Sequence, residues 1–131
     1  MDRLSVLLVD DNPTFQRITS QFLGKYPQFQ LIGWAKDGAQ AIEMCRTQEP
    51  DVVLLDLGMP DVSGLEVLPI LRSILPRSAI IVITLLDTKS YRSAALKSGA
   101  DDFLSKSEVN NQLPASIMEI AKRKDLKFET V

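Results

Sequence analysis

The sequence predicts an α/β domain of five strand–helix units, (βα)5, built as a doubly wound parallel five-stranded sheet. Three observations carry this. Apolar runs of strand length occur at Leu4–Val9, Phe29–Ala35, Val52–Leu55 and Ala79–Ile83, and more weakly around Phe103 and Leu104. Three of them are rich in Val and Ile and nearly continuous rather than alternating, as parallel strands covered on both faces read. The stretches between them have helical length and helical start signals, and regular alternation in one short chain implies right-handed crossovers with helices on both faces.

The first strand is followed by Asn12 and Pro13, an N-cap and first helical position. After the second strand, Asp37 and Gln40 have the spacing of a capping box, and Ala39, Ile42 and Cys45 follow an amphipathic period. Ser63 and Glu66 repeat the capping signature for the third helix, inside which Pro69 predicts a late start or a kink. The fourth helix is expected from Thr88 to Lys97, stopping at Gly99, and the fifth from about Glu108 to Lys124. Residues 1–124 are therefore expected to form one domain, with 125–131 a fraying tail or the start of a linker.

Composition narrows the function classes. A chain of 131 residues with 45% hydrophobic content fits one domain with a sizeable core. A net charge of −2 with interspersed signs argues against a generally nucleic-acid-binding surface. The basic run Lys122, Arg123, Lys124 is expected to offset a helix dipole. No apolar stretch approaches the roughly 20 residues of a membrane span, and a soluble cytoplasmic protein with no membrane partner is the expectation. The single cysteine, Cys45, excludes an internal disulfide and reads as core; Trp34 reads as packing; and the absence of histidine removes the commonest base and metal ligand.

What remains for chemistry is carboxylates, hydroxyls and lysines. Asp10 and Asp11 end the first strand and Asp56 the third. Ligands in such folds bind beyond the carboxyl ends of the strands, so if those two strands are neighbours three acids share one cleft. Two carboxylates about 4 Å apart repel by roughly 4 kcal/mol at an effective dielectric near 20. A divalent cation relieves this, and an all-oxygen site suits Mg²⁺, beside which a carboxylate can attack phosphorus to give an aspartyl phosphate.

Asp10, Asp11, Asp56, the run DLGMPDVSG, Thr84 and Lys106, in this order and at these strand ends, resemble the receiver domain of two-component response regulators over about residues 4–123. The resemblance implies a flavodoxin-like sheet of strand order 2-1-3-4-5. It implies that Asp56 accepts a phosphoryl group from a histidine of a partner kinase or phosphotransfer protein. Asp11 and Asp56 would hold Mg²⁺, with Asp10 directly or through water and Gly58 through its carbonyl. Thr84 would bind a phosphoryl oxygen, Lys106 would pair with the acceptor or its phosphate, and Phe103 would follow the Thr84 movement and switch the face of helix four, strand five and helix five. Such a protein catalyses only its own phosphorylation and slow dephosphorylation. DDNPTF and GADDFLSKS lean toward the branch with a C-terminal helix-turn-helix output domain; a homodimer is allowed, and nucleic acid enters only through that output domain.

The sequence departs from the pattern at Leu85, where the family usually has a small residue and where a leucine would crowd the path to Asp56. Ser107 stands where many receivers carry proline after a cis peptide, which leaves that isomer open; without proline the cis form costs about 2.5–4 kcal/mol. Two other readings stay open. One is a pseudo-receiver that binds partners without phosphorylation. The other, a haloacid-dehalogenase-like phosphatase, needs a second acid two residues after its nucleophile, where Asp10 has Asn12 and Asp56 has Gly58.

Overall fold

The computed structural model describes residues 2–128. Five strands, β1 (Leu4–Val9), β2 (Phe29–Ala35), β3 (Val52–Leu55), β4 (Ala79–Thr84) and β5 (Asp102–Ser105), alternate with helices α1 (Pro13–Leu23), α2 (Gly38–Gln48), α3 (Gly64–Ile74), α4 (Lys89–Lys97) and α5 (Val109–Arg123). All strand pairs are parallel, in the order β2-β1-β3-β4-β5. β1 and β3 are adjacent, with Val9 beside Leu55.

Because successive strand residues point to opposite faces, a sheet covered on both sides needs apolar residues at every position. Leu7, Val9, Val53, Leu55, Ile80, Val82 and Phe103 pack on one face against α2, α3 and α4. Val6, Leu8, Val52, Leu54, Ile81, Ile83 and Leu104 pack on the other against α1 and α5. Leu8, Val9, Leu54 and Leu55 are all essentially inaccessible. Each contributes roughly 1.5–3 kcal/mol when fully buried, and this burial holds in place the strand ends from which the acids project.

The helix starts follow the sequence signals with informative differences. Asn12 caps α1 by accepting a hydrogen bond from the Phe15 amide at 3.0 Å. Asp37 accepts from the Gln40 amide at 2.8 Å, but the Gln40 side chain reaches back to the Lys36 amide rather than to Asp37. Ser63 accepts from the Leu65 amide, and Glu66 makes no reciprocal bond to it. α3 begins at Gly64, so the late start expected from Pro69 does not occur. Pro69 lies on the exposed side of the helix, away from the core-facing Val67, Leu68 and Leu71. The Ser105–Glu108 pair is a capping box that the sequence reading passed over: Glu108 accepts from the Ser105 amide at 2.9 Å, and a short 3₁₀ turn, Lys106–Glu108, precedes α5.

Residues 125–128 of the expected tail, 125–131, are described. Leu126 donates its amide to the Ala121 carbonyl at 2.8 Å, and Leu126 and Phe128 pack against the α1–α5 side of the core; residues 129–131 lie outside the described residues.

Candidate functional site

Two backbone hydrogen bonds bring the acids together. The Asp10 amide donates to Ala35 of β2 and the Asp56 amide to Val9 of β1, each at 2.9 Å. The ladders thus run to the last residue of each strand and release both side chains at one edge. Asp10, Asp11 and Asp56 each offer a carboxylate oxygen within 4.8 Å of the others. Asp10 and Asp56 are buried, whereas Asp11 is exposed. α3 closes the site from below: a Cβ at Gly64 would lie 2.6 Å from the Leu57 Cα and 2.7 Å from the Asp56 carbonyl oxygen. Glycine here lets the helix start abut the end of β3.

The sole ammonium group in contact with this cluster among the described residues is that of Lys106, 2.8 Å from Asp10 Oδ2 and 3.5 Å from Asp56 Oδ2. Asp10 Oδ1 accepts from the Asn12 amide at 2.8 Å, and Asp56 Oδ1 from the Gly58 amide at 3.3 Å. Burial pushes the Asp10 carboxyl above its ordinary value; the Lys106 and Asn12 hydrogen bonds oppose that shift and the Asp56 charge adds to it. A cavity of about 300 Å³ opens in front, lined by Asp11, Asn12, Asp56, Gly58, Thr84, Leu85, Leu86 and Lys106. Leu85 stands at its rim with 78% of its surface exposed.

Thr84 is buried at the end of β4, its Oγ1 accepting from the Leu86 amide at 3.1 Å. Phe103 is completely buried, and the Arg92 guanidinium of α4 lies 5.1 Å from its ring centroid. The Lys106–Ser107 peptide is trans. Cys45 is core, its thiol pushed up to about 12 by burial. Trp34, expected as packing, is half exposed on the edge strand β2. Lys124 is not merely a dipole offset: its Nζ lies 3.1 Å from Asp101, with Arg123 at 3.9 Å.

The structure thus brings together Asp10, Asp11, Asp56, Gly58, Thr84 and Lys106 around one opening, while Phe103 is buried in the core beside Val82 of β4. Two members of the site escaped sequence reasoning. Gln16 donates its side-chain amide to the Asp10 carbonyl, and Phe15 places its ring centroid 4.4 Å from the Lys106 ammonium. The only available signal was the position of both residues in the first turn after the Asn12 cap.

The model for the response regulator receiver domain matches residues 6–118. The chain belongs to this family. The receiver is 40% identical over 120 residues to the “Probable transcriptional regulatory protein TcrX” of Mycobacterium tuberculosis, covering 92% of this chain and 47% of the relative. It is 36% identical over 102 residues to the nitrate/nitrite response regulator NarL of Escherichia coli, covering 78% and 47%. The receiver therefore spans about half the length of these relatives. Among solved structures it resembles the response regulator domain of Thermotoga maritima CheB at a TM-score of 0.81 and 26% identity, over 95% of this chain and 98% of that one. Receiver domains of this family are phosphorylated on aspartate in two-component signalling, bind Mg²⁺ at an acidic pocket and are generally not enzymes in their own right. Among the described residues no helix is long and apolar enough to cross a membrane.

Proposed function

We propose that Asp56 is the phosphoacceptor of this receiver and that residues 1–124 form the switching unit. The observation that carries the reading is the Lys106 ammonium held between Asp10 and Asp56 at the mouth of a cavity that Asp11 and Thr84 also line. An Asp56 oxygen attacks the phosphorus of a phosphohistidine on a kinase or phosphotransfer protein. The phosphorus–nitrogen bond breaks, and the imidazole leaves with a proton from solvent. Lys106 balances the charge that accumulates on the phosphoryl oxygens, a task suited to a mobile point charge.

The acid cluster fits Mg²⁺: its donors are all oxygen, and Asp10 Oδ2 is buried with no partner but Lys106 among the described residues. Asp11 and Asp56 would hold the ion, with Asp10 directly or through water and Gly58 through its carbonyl. When bound, it neutralises the carboxylates and polarises the phosphoryl group.

Phosphorylation gives the Thr84 hydroxyl, whose oxygen accepts from the Leu86 amide, an acceptor for its own proton: it donates a charge-assisted hydrogen bond to a phosphoryl oxygen. The loop after β4 then moves inward, Phe103 repacks beneath Arg92, and the α4–β5–α5 face changes. A shift from 1:99 to 99:1 needs about 5.5 kcal/mol, within reach of several such bonds. A cytoplasmic location, homodimerisation and a transcriptional output domain are the corresponding expectations for the whole protein. A pseudo-receiver would have no use for all three acids together with Thr84 and Lys106, and the phosphatase reading lacks its second acid.

Intact-mass measurement after incubation with acetyl phosphate and Mg²⁺ tests the assignment. The wild type should gain one phosphoryl group and Asp56→Ala none. A wild type that gains no mass even from its cognate kinase would leave only the binding module.

A further inference from the structure

We propose that Phe15 is a positioning residue for Lys106, the aromatic wall that keeps the ammonium aimed at the phosphoacceptor; this rests on the phosphoacceptor reading above. Lys106 reaches the site on a flexible four-carbon stem from the turn after β5. Its side chain is only 12% exposed, and its ammonium has three neighbours that favour a cation: Asp10 at 2.8 Å, Asp56 at 3.5 Å and the Phe15 ring at 4.4 Å. The two carboxylates pull from the acid side alone, and Asp10, the nearer, competes with Asp56 for the charge. The ring's negative face attracts the ammonium without offering it a proton acceptor and excludes water from that side.

Phe15 is itself held in place. Its amide is the one capped by Asn12, and its ring packs against the α1–α5 side of the core. The same cap that starts α1 therefore fixes the ring that backs Lys106, joining the acid-bearing end of β1 to the turn after β5. An apolar ring offers the acids and a phosphoryl oxygen no hydrogen-bonding group, so Phe15 acts through Lys106.

Phe15→Leu keeps apolar bulk for the core but removes the ring, and Phe15→Tyr restores the ring. In NMR spectra, the Lys106 ε-methylene protons of the wild type should be moved upfield by the ring current. They should return toward the position of a solvent-exposed lysine in Phe15→Leu and remain upfield in Phe15→Tyr. Phosphorylation by acetyl phosphate, followed by intact mass, should slow on the order of tenfold in Phe15→Leu and recover in Phe15→Tyr. Unmoved Lys106 resonances in Phe15→Leu, or an unchanged rate beside moved resonances, would overturn the proposal. If the wild type takes up no phosphoryl group, the phosphoacceptor reading fails on its own, and the resonances alone decide whether Phe15 positions Lys106.

Discussion

The two ends of the sheet carry clusters made of the same ingredients in opposite proportion. At the carboxyl end, three acids face one lysine. At the amino end, one acid, Asp101, faces three cations: Arg72 at 2.8 Å, Lys124 at 3.1 Å and Arg123 at 3.9 Å. Asp101 also accepts from the Ile80 amide at 2.8 Å, while Arg72 donates to the Gly99, Leu75 and Ser78 carbonyls. Every strong acceptor there has a donor. That cluster ties the end of α3, the starts of β4 and β5 and the end of α5 into one joint. The carboxyl-end cluster leaves negative charge uncompensated and one acid in an environment that disfavours its ionised form. A saturated cluster stabilises a fold; an unsaturated one leaves acidic oxygens available to a ligand.

Removing Asp101 should therefore have the largest effect on stability. Asp101→Ala leaves Arg72 and the Ile80 amide without their acceptor, and urea denaturation should show a loss of about 2–4 kcal/mol. Phosphoryl uptake by the protein that remains folded should be unaffected. A smaller loss, comparable with that of an ordinary surface pair, would break the contrast between the two ends.

Asp10→Asn should have the opposite sign. Without divalent ion, it should raise stability by about 1 kcal/mol, because a buried charge with incomplete compensation is replaced by a neutral isostere. The Asp10 carboxyl has a folded-state value above its unfolded one, so its penalty is present at neutral pH and is relieved as pH falls through the raised value. The gap between variant and wild type should close over that range. Added Mg²⁺ should raise the melting temperature of the wild type much more than that of the variant.

The smallest effect belongs to Asp61, an exposed acid that has no cation partner among the described residues. It accepts from the Gly38 amide at 2.8 Å, the Ala39 amide at 3.1 Å and the Val62 amide at 2.9 Å. The Gly38 bond leads the others in holding its carboxyl below the ordinary value. Its contribution is present above the unfolded-state value near 3.9 and is lost as pH falls through the lowered folded-state value. Asp61→Asn should therefore be slightly less stable than wild type near pH 6, and the two should converge as pH falls below the lowered folded-state value, as read from thermal melts at descending pH.

Much of the site was legible because its parts are local signals repeated at strand ends. Asp10 and Asp11 follow an apolar run and precede an Asn-Pro cap, Asp56 follows another run, and Lys106 follows the weakest one. The Asp101 joint was not legible, because its partners come from α3, α5 and the start of β4, and nothing near Asp101 in the chain announces them. Lys124 and Arg123 looked like helix-end charges for the same reason. The Ser63–Glu66 spacing shows the converse limit: a cap motif proposes a bond, and the Glu66 rotamer need not accept it.

By itself, the sequence determined the kinds and order of the elements, because strand runs, helical periods and caps depend on residues a few positions apart. The neighbouring of β1 and β3 could only be inferred from the family resemblance. Tertiary structure alone decided that Lys106 lies nearer Asp10 than Asp56, that Phe15 backs it, and that Asp101 gathers three cations at the opposite edge. Those contacts join residues far apart in the chain, so their distances follow from how the layers pack rather than from any local preference.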